Sequence, residues 1–260
     1  MALPEPDSNT TVVVTGASSG IGAELARELA RRGYGVTLVA RRADKLQELA
    51  DALNREHGVD TVVESADLQD RAGRDRLADT LEGRTVVGLV NNAGYGATGP
   101  FVKADLDWHQ GMVQLNCQAL LHLTGRILPG LVEAGAGAVL NVASLAACQP
   151  IPNMATYAAT KAFVLSFSEA LHAELRGTGV SVTAVQPGPV KTDFWKLAGD
   201  NRRNPGPAFL PAEEVAAQAI AGMAEGRRTV VPSLKWKGAA VAGRFVPRTV
   251  QLPLMKRFGY

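Results

Sequence analysis

At 260 residues the chain has room for one large domain with a substantial core, and 46% apolar against 20% charged residues suits a globular protein. A formal charge of +2 leaves no dominant basic field, which excludes a general nucleic-acid binder. Cys117 and Cys148 are too few for a disulfide framework, and His57, His109, His122 and His172 form no ligand-spaced cluster, so no structural metal is expected.

Residues 1–10 hold two prolines among polar residues and read as a frayed arm. They lack the basic and apolar regions of a secretory leader, and no run of about 18 apolar residues follows anywhere. The expected compartment is the reducing cytosol.

Thr11-Val12-Val13-Val14-Thr15 is a β-branched run without polar alternation, as in a strand buried on both faces. It runs into Gly16-Ala17-Ser18-Ser19-Gly20-Ile21-Gly22 and a helical stretch over residues 23–32, after which Gly33 caps the helix and residues 36–40 form a second strand. Strand, glycine turn, helix and strand within about 30 residues make a βαβ unit. Its glycines let backbone amides approach a pyrophosphate at a helix N-terminus, so the unit predicts dinucleotide binding, although the G-x-x-x-G-x-G spacing differs from G-x-G-x-x-G. At the end of the second strand, where an acid would hold the adenosine ribose of NAD, stand Arg41 and Arg42. Guanidinium groups pair with a 2′-phosphate, which predicts NADP(H).

A third strand over residues 61–64 leads to Asp67 and Leu68, and a fourth over residues 86–90 leads to Asn91-Asn92-Ala93-Gly94. Both segments fall at the carboxyl ends of predicted parallel strands, where open α/β sheets bind ligands. One long helix is predicted over residues 107–134, with Asn116 in an apolar setting that needs a special reason. A fifth strand, residues 138–142, delivers Ser144 to the same edge. A helix from about residue 155 to 176 carries Tyr157 and Lys161 four apart and so on one face. An ammonium beside a phenol favours the phenolate, which makes the pair a candidate proton donor and acceptor with a lowered tyrosine pKa. A sixth strand, residues 181–185, ends at Gln186-Pro187-Gly188.

The motifs Thr15-Gly16-Ala17-Ser18-Ser19-Gly20-Ile21-Gly22, Asn91-Asn92-Ala93-Gly94, Asn116, Ser144, Tyr157-x-x-x-Lys161 and Pro187-Gly188 together resemble the short-chain dehydrogenase/reductase family over about residues 10–232. The resemblance implies an α/β, Rossmann-type doubly wound fold: a mostly parallel seven-stranded sheet in three α/β/α layers, forming one catalytic domain over residues 11–232. It implies that Gly16, Ser18, Ser19, Gly20, Ile21 and Gly22 hold the pyrophosphate and adenosine, and that Arg41 and Arg42 meet the 2′-phosphate. Asp67 and Leu68 would contact adenine, and Asn91, Ala93 and Gly94 the ribose side. Pro187, Gly188, Val190 and Thr192 would flank the nicotinamide, with Tyr157 and Lys161 on its ribose. NADP-dependent relatives often carry a base where this chain has Ser19, so the 2′-phosphate preference rests on Arg41 and Arg42. Ser144 would bond the substrate oxygen, Tyr157 would exchange its proton, and Asn116 would hold a water linking Lys161 to solvent. The implied activity is hydride transfer between NADP(H) and a small carbonyl or alcohol, by a homodimer or homotetramer paired through the two long helices. A cofactor-binding scaffold without turnover is the rival reading, and an isomerase or lyase a third.

The segments 95–101, 145–154 and 191–210 should wall a substrate pocket, the last as a lid. Tyr95, Leu145, Cys148, Ile151, Met154, Phe194 and Trp195 make that wall apolar, which suits a lipophilic substrate. Residues 233–260 mix Lys235, Lys237, Arg244, Arg248, Lys256 and Arg257 with Trp236, Phe245 and Phe258 and contain no acid. Such a tail suits a peripheral membrane contact, a cover over a partner subunit, or packing on its own domain.

Overall fold

The computed structural model describes residues 3–199, 206, 208–238 and 246–257. Seven strands, β1 (Thr10–Thr15), β2 (Gly35–Ala40), β3 (Thr61–Ser65), β4 (Thr85–Asn91), β5 (Gly137–Val142), β6 (Val180–Val185) and β7 (Thr229–Val230), form one sheet in the order β3-β2-β1-β4-β5-β6-β7. Every pairing is parallel. Successive strand residues face opposite sides of a sheet, and the β1 valines divide accordingly. Val12 and Val14 join a core with Leu25 and Leu29 of α1 (Gly20–Arg31), Leu46 of α2 (Ala43–His57) and Ile220 of α8 (Ala212–Ala224). Val13 joins the other core with Leu77 of α3 (Arg71–Glu82) and Leu123 and Leu131 of α5 (Leu120–Ala134). The result is the three-layer α/β/α arrangement that the resemblance implies, all-parallel rather than mostly so.

Local chemistry marks the helix boundaries. Asp70 caps α3 by accepting from the amides of Ala72 and Gly73, and Gly58 and Gly135 end α2 and α5 in the left-handed conformation that glycine adopts freely. The predicted helix over 107–134 is two α-helices, α4 (Leu106–Val113) and α5, joined by a π-helical segment, Gln114–Ala119. A π-turn adds a residue per turn and so resets which face each half presents. The helix α6 (Ala155–Glu174) carries Tyr157, and its own Val164 and Leu165 pack in a cluster with Leu120, Ala143 and Ala184.

The amino-terminal segment is not the frayed arm its composition suggests. Leu3 is 1% exposed and joins the core with Val12 and Met223, while the Tyr34 hydroxyl donates to the Pro4 carbonyl at 2.7 Å. One large apolar side chain with a ready-made slot outweighs the entropy of ordering a short polar stretch. Of the proposed lid, residues 200–205 and 207 lie outside the described residues, while α7 (Phe194–Leu197) opens it as a single helical turn. Of the tail, residues 239–245 and 258–260 lie outside them, and so do Arg244, Phe245 and Phe258. Its last described element is α9 (Arg248–Arg257).

Candidate active site

Strand order reverses between β1 and β4, and the crevice at that switch point is where α/β sheets hold ligands. Side chains stitch its two lips together. The Thr15 hydroxyl donates to the Val90 carbonyl at 3.2 Å and accepts from the amides of Asn92 and Ala93, each at 3.0 Å. Asn92 Nδ2 in turn donates to the Thr15 carbonyl at 2.9 Å. Gly16 turns here with φ +67°, and a Cβ on it would lie 2.8 Å from Asn92 Nδ2. Only glycine serves at such a point, and the turn then delivers the N-terminus of α1, with its unpaired amides, to the crevice.

A cavity of about 790 Å³ opens along this edge, and it gathers residues that lie far apart in sequence. The glycine turn supplies Gly16, Ser18, Ser19, Gly20, Ile21 and Gly22, the ends of β2 and β3 supply Arg41, Arg42, Asp67 and Leu68, and the end of β4 supplies Ala93 and Gly94. Ser144 after β5, Tyr157 and Lys161 on α6, and Pro187, Gly188, Val190 and Thr192 after β6 complete the line. The predicted pocket residues Tyr95, Leu145, Cys148, Ile151, Met154, Phe194 and Trp195 also face it. Two predicted site residues do not. Asn91 is buried beneath the edge, donating to Asn141 Oδ1 at 2.9 Å and Thr124 Oγ1 at 3.0 Å, because as the last residue of β4 it points into the helical layer.

Asn116 is the second, 2% exposed in the π-helical segment. Its Nδ2 donates to the Tyr95 carbonyl and to Thr160 Oγ1, both at 3.0 Å, and its Oδ1 accepts from the Tyr95 amide at 3.1 Å. These bonds account for a polar side chain in an apolar helix: Asn116 clamps the loop after β4 to α6.

The 2′-phosphate expectation finds a suitable donor set. Arg42 reaches across to the Ser18 and Ser19 hydroxyls, each at 2.9 Å, so that guanidinium and two hydroxyls converge at the mouth of the glycine turn. Ser19 thus stands beside the base rather than replacing it. Arg74, missed in the sequence, is 6% exposed and donates to the carbonyls of Leu68 and Gln69 at 2.8 and 2.9 Å, which fixes the loop that carries Leu68. Trp236 and Met255 were also missed: both line the cavity, so the tail packs on its own domain there. Their sequence signal was the mix of basic and large apolar residues over 233–260, which left packing on its own domain as one option among three.

Tyr157 and Lys161 do share one face of α6, and both are buried. The lysine does not lower the tyrosine's pKa as expected. Burial pushes the Tyr157 phenol up to about 12, with a hydrogen bond to Ser144 pulling the other way. Lys161 Nζ lies 5.9 Å from the phenol ring centroid, donates to the Val142 carbonyl at 2.7 Å, and is itself pushed down to about 8 by burial. Helical spacing set the proximity, but desolvation of both groups dominates. The phenol is therefore protonated at neutral pH, bonded to a serine hydroxyl, and can give a proton to an oxygen placed between them.

The residues 10–203 match the model of the short chain dehydrogenase family. The chain is 38% identical over 207 residues to a very-long-chain 3-oxoacyl-CoA reductase of Anas platyrhynchos, covering 78% of this chain but 66% of that protein's length. It is 42% identical over 188 residues to sulfoacetaldehyde reductase 2 of Chromohalobacter salexigens, covering 70% of this chain and 73% of the relative. A short-chain dehydrogenase of Sphingobium yanoikuyae, solved in complex with NADPH, superposes with a TM-score of 0.83 at 35% identity over 90% of this chain and 93% of the other. Seven parallel strands, the glycine turn at their switch point and this extent of sequence match have one explanation: the chain belongs to the short-chain dehydrogenase family.

Proposed function

We propose that the protein is an NADP(H)-dependent oxidoreductase that interconverts a carbonyl and an alcohol on a lipophilic small molecule. The observation that carries this reading is the Ser144-bonded phenol of Tyr157 in the same cavity as the glycine turn and Arg42. The relative solved with NADPH supports the choice of cofactor, and the relatives named as reductases support the reaction class.

The residues fit NADP(H). The amides of the glycine turn receive the pyrophosphate, and Arg42 with Ser18 and Ser19 receives the 2′-phosphate. When bound, the cofactor supplies the hydride. Ser144 bonds the substrate oxygen and holds the negative charge that develops there. Tyr157 gives that oxygen its proton in reduction and takes it back in oxidation. Lys161, anchored on the Val142 carbonyl, holds a cation beside the phenol at pH values below about 8. Ala97, Met112, Ile151, Met154 and Phe194 surround Tyr157, and such a wall favours an apolar substrate body.

Loss of NADPH absorbance with a panel of ketones and aldehydes tests the reading. Tyr157→Phe should lower turnover by about 10²- to 10⁴-fold, and an unchanged rate would remove the proposed acid. A scaffold role without turnover predicts no rate in either protein. We further propose a homodimer through α5 and α6, whose outer faces expose Leu121 (48%) and Phe163 (39%). Sedimentation of Phe163→Glu against wild type tests it, a monomer being expected for the variant alone. Among the described residues no helix is long and apolar enough to cross a membrane. A cytosolic location with peripheral membrane contact through residues 233–260 is the matching proposal, tested by liposome flotation of the full chain and a truncation at Pro232.

A further inference from the structure

Resting on the proposed carbonyl reduction and deepening it, we infer that Trp236 is a specificity-determining wall of the substrate site, seated on Gly188, which restricts the substrate to carbonyls with one small substituent. The loop after β6 carries the seat. The Pro187 carbonyl accepts from the Leu145 amide at 3.0 Å, which ties this loop to the one bearing Ser144. At the next residue, Gly188, a Cβ would lie 2.7 Å from Trp236 Nε1, 2.8 Å from Cε2 and 2.9 Å from Cδ1. Real side chains do not approach so closely, so one edge of the indole occupies the room that any other residue at 188 would fill. Gly188 is required here by this close approach.

Trp236 lines the same cavity as Ser144 and Tyr157, although it comes from a short helical stretch, residues 234–238, that follows the last strand of the sheet. The cavity wall around Tyr157 is already apolar. Phe194 covers the Tyr157 ring at 5.3 Å between centroids, and Met154, Ile151 and Met255 pack in the same group. A carbonyl bonded between Ser144 and Tyr157 can direct one large apolar group to that side. Its second substituent then points toward the Gly188 loop, where the indole takes the space. The indole is large and rigid, with the Lys235 ammonium 5.6 Å from its ring on the outer side.

Two ketones separate the cases: acetophenone, with one methyl, and benzophenone, with two rings. Wild type and Trp236→Ala, Trp236→Phe and Leu234→Ala are compared with NADPH, Leu234 being 84% exposed and so a neutral site on the same segment. Removing the indole should raise kcat/KM for benzophenone relative to acetophenone by at least about tenfold, chiefly through KM, the scale on which apolar pockets discriminate. Trp236→Phe should recover part of the wild-type ratio, and Leu234→Ala should leave it unchanged. A ratio within about twofold of wild type in Trp236→Ala overturns the inference. If wild type reduces neither ketone, the proposed activity fails separately, and saturation-transfer NMR of acetophenone with NADPH present decides the wall by itself. Transfer to wild type that weakens in Trp236→Ala supports it, and equal transfer or none overturns it.

Discussion

Asn116→Ala is the sharpest test of how this site is held together. The substitution removes three hydrogen bonds and leaves the amide and carbonyl of Tyr95 without their partner, while Thr160 Oγ1 keeps its 2.8 Å bond to the Tyr157 carbonyl. An orphaned buried polar group costs about 1–3 kcal/mol, and Tyr95 is only partly buried, so its two groups together cost about 2–4 kcal/mol. Alanine's better helix propensity returns about 0.5 kcal/mol, and a water entering the vacated space recovers some of the rest. The net loss is about 1–3 kcal/mol, which for a domain of this size lowers Tm by roughly 2–12 °C. Thermal unfolding by circular dichroism reads it directly. A fall of less than about 2 °C would refute the clamp, and a shifted pH profile at unchanged Tm would support the expected solvent-bridging role for Asn116 instead.

Lys161 gives a pH prediction. Its folded pKa, about 8, lies below the ordinary 10.5, so below about 8 both states are protonated and the full cost of burying the charge is present. As pH rises toward 10.5 the unfolded chain still binds the proton that the folded chain has lost, and wild type gains stability. Lys161→Met should therefore lose its stability advantage over wild type by about 2–3 kcal/mol between pH 7 and 10.5, read from urea midpoints, with turnover abolished throughout. A pH-independent difference would mean that Lys161 is not desolvated. Leu3→Ala should cost about 2–5 kcal/mol by the same assay, whereas a truly frayed arm predicts no change. Arg42→Ala should raise KM for NADPH by about tenfold or more and leave KM for NADH nearly unchanged; an equal effect on both would remove Arg42 from the 2′-phosphate.

The parts of this fold that were legible share a physical cause. β1, β5 and β6 are buried on both faces, so their apolar runs stand out, and the chemistry-bearing residues follow each strand directly. What stayed hidden depends on packing at a distance. Leu3 looks like any residue in a polar arm until Val12 and Met223 form its slot. Trp236 has no pattern of its own, because its seat is a glycine 48 positions earlier. The spacing of Tyr157 and Lys161 fixed their common face, yet said nothing of how thoroughly water is stripped from both, which reversed the expected direction of the phenol's shift. Helical periodicity over 107–134 is equally blind to a widened turn, since both flanking halves keep their amphipathic stripes.

That widened turn governs what can be changed on this scaffold. With the extra residue in Gln114–Ala119, α4 aims Met112 at the Tyr157 pocket, while α5 aims Leu123 and Leu131 at the sheet. A helical residue advances the chain by about 100°, so deleting one residue there would rotate one half against the other by that angle. Methionine and leucines cannot then both keep their sockets. Point substitutions within the segment leave the phase between catalysis and scaffold intact, whereas a single-codon deletion sets one against the other.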